Sequence, residues 1–342
     1  MTRTGKRLGT LGRNKLGNSE ARDITDEYPR RFRLVQAERQ TAGQAGAKDR
    51  AIAARKAVVD IVEAGRADYR RAFATQELSM PAVHLADGDL NYQLDGSSDA
   101  PVLVLSNSLG TDLHMWDEQV AAFAEHYQVL RYDTRGHGRS LVTEGDYSIE
   151  QNGRDVLALL DALNIDRVDF CGLSMGGLIG QWLAINAPER LRRVVLCNTA
   201  AKIGTPEVWN PRIETVRRDG QQAMTALRDA SIERWFTPQF ARSQPDKVDA
   251  VVGMLARTSA QGYAANCAAV RDADFREQIG SVSCPVLMVC GTHDPVTTPA
   301  DGHDIAQRVP GAQWVELPAA HLSNVEAGEA FTRPVLEFLI GG

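Results

Sequence analysis

Long apolar runs are missing from this chain. No uninterrupted stretch approaches about 18 residues, so no membrane-crossing helix is expected. The N-terminus has no apolar core of a secretory signal, and a cytoplasmic enzyme is the expectation. Cysteine is scarce: Cys171, Cys197, Cys267, Cys284 and Cys290 are odd in number and show no C-x-x-C spacing. That argues against a disulfide framework and for reduced, buried thiols that behave as small hydrophobes. No H-E-x-x-H or H-x-H-x-D-H run exists, which speaks against a metal-dependent lactonase and leaves no metal site to expect. No P-loop or G-x-G-x-x-G follows a predicted strand, so no cofactor is implied. A net charge of -6 gives no reason to expect nucleic-acid or anionic-membrane partners.

That charge is unevenly spread. Residues 1–79 hold 17 Lys+Arg against 10 Asp+Glu, and the remainder holds 21 against 34. Residues 1–18 and 38–49 lack hydrophobic periodicity and read as disordered. Apolar residues at Ile52, Val58, Val59, Val62 and Phe73 suggest an amphipathic helix within 49–77. The extension reads as an appendage without a catalytic role, translated from an early start codon with Met80 as the natural beginning. A partner-binding tail and a transit peptide stand as alternatives, the second opposed by the scattered acids.

From Met80 the pattern alternates between strands and helices. An opening hairpin is expected from residues 83–85 and 89–94 around Asp87-Gly88. Further strands are expected at 102–106, 127–132, 167–171, 191–198, 285–290 and 313–317, and helices at 116–124, 149–163, 177–187 and 331–339. Strands that are apolar throughout, interleaved with helices, predict an α/β fold with a mostly parallel eight-stranded sheet covered on both faces. Residues 205–276 break the alternation with several short helices, and an insertion there would form a helical cap over the sheet's carboxyl edge.

The most informative run is DFCGLSMGG at 169–177. A G-x-S-x-G set between a buried strand and a helix is the nucleophile elbow, with Ser174 held in a strained turn and its hydroxyl lifted above the sheet. An aliphatic hydroxyl needs a base, and the base needs an orienting carboxylate. In the expected order Ser–Asp–His, Asp294 follows one buried strand in VLMVCGTHDP and His321 follows the last strand in VELPAAHLS. The strand ending at Asn198 is followed by Thr199-Ala200-Ala201-Lys202, which offers no carboxylate. Two oxyanion donors are expected, the N–H of Met175 and that of Leu109 in Asn107-Ser108-Leu109-Gly110. His84, His114, His126 and His137 read as structural or exposed.

These pieces, with DTRGHGRS at 133–140 and GTHDPVTTP at 291–299, resemble the α/β-hydrolase family over 80–342. The chain departs from it where Asn107-Ser108 replaces a His-Gly pair. Within the family, LSNSLGTDLHMWD, GLSMGG and GTHDPVTTPADG are similar to the 3-oxoadipate enol-lactonases of aromatic-compound catabolism. That resemblance implies an anionic lactone or ester substrate opened through an acyl-enzyme. Such a substrate needs a cation, and Arg212, one helical turn after Trp209, is the first choice for it, with Arg234 and Arg257 as competitors. A general carboxylesterase, a C–C bond hydrolase, a perhydrolase and a non-catalytic small-molecule receptor remain alternatives. Serine at the elbow excludes the branches of the family that use aspartate there. A monomer and a homo-oligomer both stay open.

Overall fold

The computed structural model describes residues 81–341. The expectations placed on residues 1–79 lie outside the described residues. Eight strands form one sheet: β1 (Ala82–Leu85), β2 (Gly88–Asp95), β3 (Val102–Ser106), β4 (Gln128–Tyr132), β5 (Val168–Leu173), β6 (Leu191–Cys197), β7 (Val286–Gly291) and β8 (Gln313–Leu317). Their spatial order is β1-β2-β4-β3-β5-β6-β7-β8. The opening hairpin pairs antiparallel and β2 joins β4 antiparallel, while every later pairing is parallel. Strands β3, β5 and β7 are buried at every position, which is why they read as nearly continuous apolar runs, interrupted in β5 by Asp169, rather than alternating ones.

Helices cover both faces. The first, α1 (Asp117–Ala124), follows a 3-10 turn over Leu113–Trp116, so the helix expected from Trp116 starts one residue later. Asp112 makes the difference, because its side chain accepts the His114 N–H and caps the tighter turn first. Helix α2 (Ile149–Ala162) begins at Ser148, whose hydroxyl accepts the Gln151 N–H, and turns Val156, Leu159 and Leu160 into the core. Helix α3 (Met175–Asn186) is buried along almost its whole length and starts two residues before the expected Gly177. The glycines here do not break elements. Gly172 still pairs within β5, and a Cβ on Gly180 would stand 2.8 Å from the Phe170 ring, so glycine lets helix and sheet approach.

Between β6 and β7 lie six helices: α4 (Pro206–Asp219), α5 (Gln221–Ala226), α6 (Arg228–Trp235), α7 (Pro238–Ser243), α8 (Pro245–Arg257) and α9 (Ala260–Asp272). Then α10 (Pro299–Arg308) connects β7 to β8, and α11 (Ser323–Glu326) and α12 (Glu329–Ile340) close the chain. Strand β3 has β4 on one side and β5 on the other, so the loops leaving β3 and β5 diverge and open a crevice at the sheet's carboxyl edge. All five cysteines are buried and free.

Candidate active site

Ser174 stands in that crevice. Its φ of 58° and ψ of −113° put an L-residue where glycine is normally required. The strain is held from three sides. Ser174 N–H donates to the Cys197 carbonyl at 2.9 Å, its own carbonyl accepts from the Thr199 hydroxyl at 2.9 Å, and Leu178 N–H reaches the same carbonyl at 3.1 Å. The flanking glycines permit the turn: a Cβ on Gly172 would lie 2.2 Å from the Gly176 carbonyl, and one on Gly176 would lie 2.2 Å from the Ser106 carbonyl.

The structure brings Asp294 and His321 to this serine. Asp294 lies in the loop after β7 and His321 in the loop after β8. His321 Nδ1 is 2.8 Å from Asp294 Oδ2, and its Nε2 is 2.9 Å from Ser174 Oγ. A carboxylate at Nδ1 fixes the proton on that nitrogen, which leaves Nε2 to accept from the serine hydroxyl. Ser174, Asp294 and His321 are all buried, at 6%, 4% and 2% exposure. Burial alone would raise the Asp294 carboxyl. The charge and hydrogen bond of His321, with donors from Asn198 and Thr297, outweigh it and leave Asp294 below its ordinary value.

Asn198 and Thr297 are functional candidates that the sequence reading missed. Asn198 Nδ2 donates to Asp294 Oδ2 at 2.9 Å, and the Thr297 hydroxyl donates to the same oxygen at 2.8 Å. Asp294 Oδ1 accepts the N–H groups of Val296 and Thr297. The available signal was an asparagine ending an apolar strand, where its φ of 42° suits a residue that tolerates left-handed backbone. Glu326 was missed as well. It accepts the Ala320 N–H at 2.9 Å, just before His321, and also the N–H and hydroxyl of Thr237 in the helical insertion.

Met175 follows the serine directly, and Leu109 lies in the loop after β3. Met175 is the first residue of α3, where N–H groups have no intrahelical acceptor. Among the described residues, neither the Leu109 nor the Met175 N–H has a hydrogen-bond acceptor. The next amide along, Gly110 N–H, is committed to His137 Nε2 at 2.9 Å. His137 is fully buried, and burial lowers its imidazole to about 4, against the Arg135 carbonyl and the Asp133 charge, which both raise it. The folded protein therefore binds fewer protons at this site than the unfolded chain between about pH 4 and 6.5. Stability should fall as pH drops through that window, by roughly 3 kcal/mol in all, and urea midpoints at pH 7 and 4.5 would measure it.

The insertion places Arg212 over the Trp209 ring, 5.0 Å from its centroid. The Trp209 indole N–H is committed to the Ile203 carbonyl at 2.8 Å, so only its ring is available. Arg234 lies close enough to Arg212 to feel its charge; burial first, and then that charge, lower the Arg234 guanidinium. Tyr263 neighbours both arginines and packs on Gly110, where a Cβ would be 3.3 Å from its ring. Arg257 is turned elsewhere, largely exposed and 3.8 Å from Asp112. Among the described residues, no cluster of His, Cys, Asp and Glu could hold a metal, and no helix is long and apolar enough to cross a membrane.

The alpha/beta hydrolase fold family matches residues 101–327. The chain is 46% identical over 262 residues to 3-oxoadipate enol-lactonase 2 of Acinetobacter baylyi, covering 75% of this chain and 97% of that protein. It is 44% identical over 242 residues to 3-oxoadipate enol-lactonase 1 of the same organism, covering 71% and 90%. Among solved structures, the enol-lactonase from Burkholderia xenovorans LB400 matches with a TM-score of 0.74 and 48% identity, over 76% of this chain and 99% of that one. Strand order, the serine-bearing turn and these matches agree: the chain belongs to the α/β-hydrolase family.

Proposed function

We propose that the chain is a serine hydrolase that opens the ring of 3-oxoadipate enol-lactone, a cytoplasmic step in aromatic-compound breakdown. The observation that carries the chemistry is the continuous hydrogen-bonded series Ser174–His321–Asp294, at 2.9 and 2.8 Å. Ser174 Oγ attacks the lactone carbonyl as His321 Nε2 takes its proton. The N–H groups of Leu109 and Met175 hold the resulting oxyanion. Collapse breaks the acyl C–O bond and expels an enolate, which stays tethered to the acyl-enzyme. That enolate takes a proton from His321 or water and becomes the ketone. Water, giving its proton to His321, then attacks the ester, and Ser174 regains a proton as the acid leaves. Asp294 keeps the imidazole oriented and stabilises its cation.

The substrate class is supported by the relatives and by charge. Arg212 and Arg234 sit side by side, half-buried, and among the described residues neither pairs with a carboxylate. Two like charges held together favour an anion between them. In this reading the helices over 205–276 act as a cap that presents Arg212, over Trp209, to the acetate arm of the lactone. Arg212→Ala should raise KM for the anionic lactone about 10- to 100-fold while leaving a neutral acetate ester within about twofold. Equal effects on both substrates would remove Arg212 from the anion site. The substrate itself is tested by comparing kcat/KM for 3-oxoadipate enol-lactone with neutral esters and C–C bond substrates. A preference for either of the latter would replace this reading with an esterase or C–C hydrolase.

A further inference from the structure

The loop that carries the Leu109 N–H is held by groups that make no hydrogen bond to Ser174. A trans peptide is planar, and its C=O and N–H point in opposite directions, so pinning one aims the other. The plane that carries Leu109 N–H also carries the Ser108 carbonyl. That carbonyl accepts from the Thr111 hydroxyl at 2.8 Å and from the Thr111 N–H at 3.2 Å. The next plane carries the Leu109 carbonyl and Gly110 N–H, which donates to His137 Nε2 at 2.9 Å. Gly110, with φ of 84°, has no Cβ to resist a turned-over peptide, so an acceptor must select the orientation. Both planes that meet at the Leu109 Cα are therefore held, and with them its φ and ψ.

His137 has its own support. Because Nε2 accepts, Nδ1 carries the proton, and it faces the Arg135 carbonyl at 3.3 Å. The same carbonyl accepts from Asn266 Nδ2 at 2.8 Å, and Asn266 lies on α9 of the helical insertion. Asn266 also donates to Gly262 and accepts from Asn152 of α2 at 2.9 Å. The approach leaves no room for side chains: a Cβ on Gly262 would stand 2.3 Å from the Gly136 carbonyl. Tyr263, packed on Gly110 and beside Arg212, belongs to the same helix.

We propose that His137 and Asn266 are positioning residues for the oxyanion hole: His137 fixes the loop that aims Leu109 N–H, and Asn266 ties that histidine to the helical insertion. This rests on the reading of Leu109 as an oxyanion donor. It makes the insertion a structural support of transition-state binding, beyond any part in substrate recognition.

The test compares His137→Leu, His137→Gln and Asn266→Ala, using a neutral acetate ester and an arylboronic acid. The boronic acid forms a tetrahedral adduct with a serine and so reports the oxyanion hole directly. His137→Leu should lower kcat about 30- to 100-fold and weaken boronic-acid binding by a similar factor, with KM within about threefold. His137→Gln should recover most of the loss, because its amide oxygen can accept the Gly110 N–H. Asn266→Ala should show the same pattern more weakly. If His137→Leu does not fold, the other two variants decide, with a parallel fall in kcat and boronic-acid affinity expected for Asn266→Ala. Unchanged boronic-acid affinity in the folded variants, or Gln no better than Leu, overturns the proposal. Turnover within about tenfold of wild type in Ser174→Ala would instead sink the serine-hydrolase reading itself, while the expected loss there alongside full activity in folded His137 and Asn266 variants sinks only this inference.

Discussion

Ser174→Ala should reduce kcat/KM by about 10⁵- to 10⁶-fold, roughly 7–8 kcal/mol of transition-state stabilisation, with the fold intact. Alanine removes only the hydroxyl. The backbone bonds from Ser174 N–H to Cys197 and from Thr199 and Leu178 to the Ser174 carbonyl do not involve the side chain. The turn at φ 58° is therefore kept, and thermal unfolding should shift by no more than a few degrees. Some catalysis over water should survive, because the proposed oxyanion donors, the Leu109 and Met175 N–H groups, are unaltered and His321 can still direct a water. A fluorophosphonate should label the wild-type protein once and leave the alanine variant unmodified. Labelling elsewhere, with activity retained, would show that the hydrolysis belongs to another residue.

The serine, the carboxylate and the histidine were legible because each signal is local. A glycine on either side of a serine at a strand-to-helix junction declares a strained turn, and Asp294 follows a buried apolar strand, and His321 the last strand, by a few residues. The residues that support them were not legible, because their partners are remote in sequence. Asn198 meets Asp294 across 96 positions, Glu326 meets Thr237 across 89, and Asn266 meets the Arg135 carbonyl across 131. No periodicity encodes such a pairing. His137 shows the same limit, since a histidine between two glycines has the composition of an exposed loop while the folded chain buries it completely. Element ends slipped for a related reason. Gly172 and Gly177 look like breaks in a linear reading, whereas in three dimensions Gly172 is where the strand meets the start of the helix and Gly177 is where that helix meets Thr199 after β6.

Asp294→Asn should cost about 10⁴-fold in kcat with KM nearly unchanged, and the reason lies in which bonds the amide must keep. Oδ1 accepts two backbone N–H groups, from Val296 and Thr297, and only a carbonyl oxygen can satisfy them. The asparagine NH₂ is then forced into the place of Oδ2, facing Asn198 Nδ2 and His321 Nδ1, which donate to that oxygen at 2.9 and 2.8 Å. Donor would meet donor. Asn198 cannot turn its amide without losing the Ser323 hydroxyl on its own oxygen and the Ala320 carbonyl on its nitrogen. His321 yields instead: its proton moves to Nε2, Nδ1 accepts from the new amide, and Ser174 faces a donor where it needs a base. The stability cost is smaller, because the Thr297 hydroxyl can rotate to accept. Steady-state kinetics with fluorophosphonate inactivation rates would separate the two effects, since a misprotonated His321 slows both equally. A variant within about tenfold of wild-type in both would mean that His321 gets its orientation from something other than Asp294, and the assignment of that carboxylate would fall.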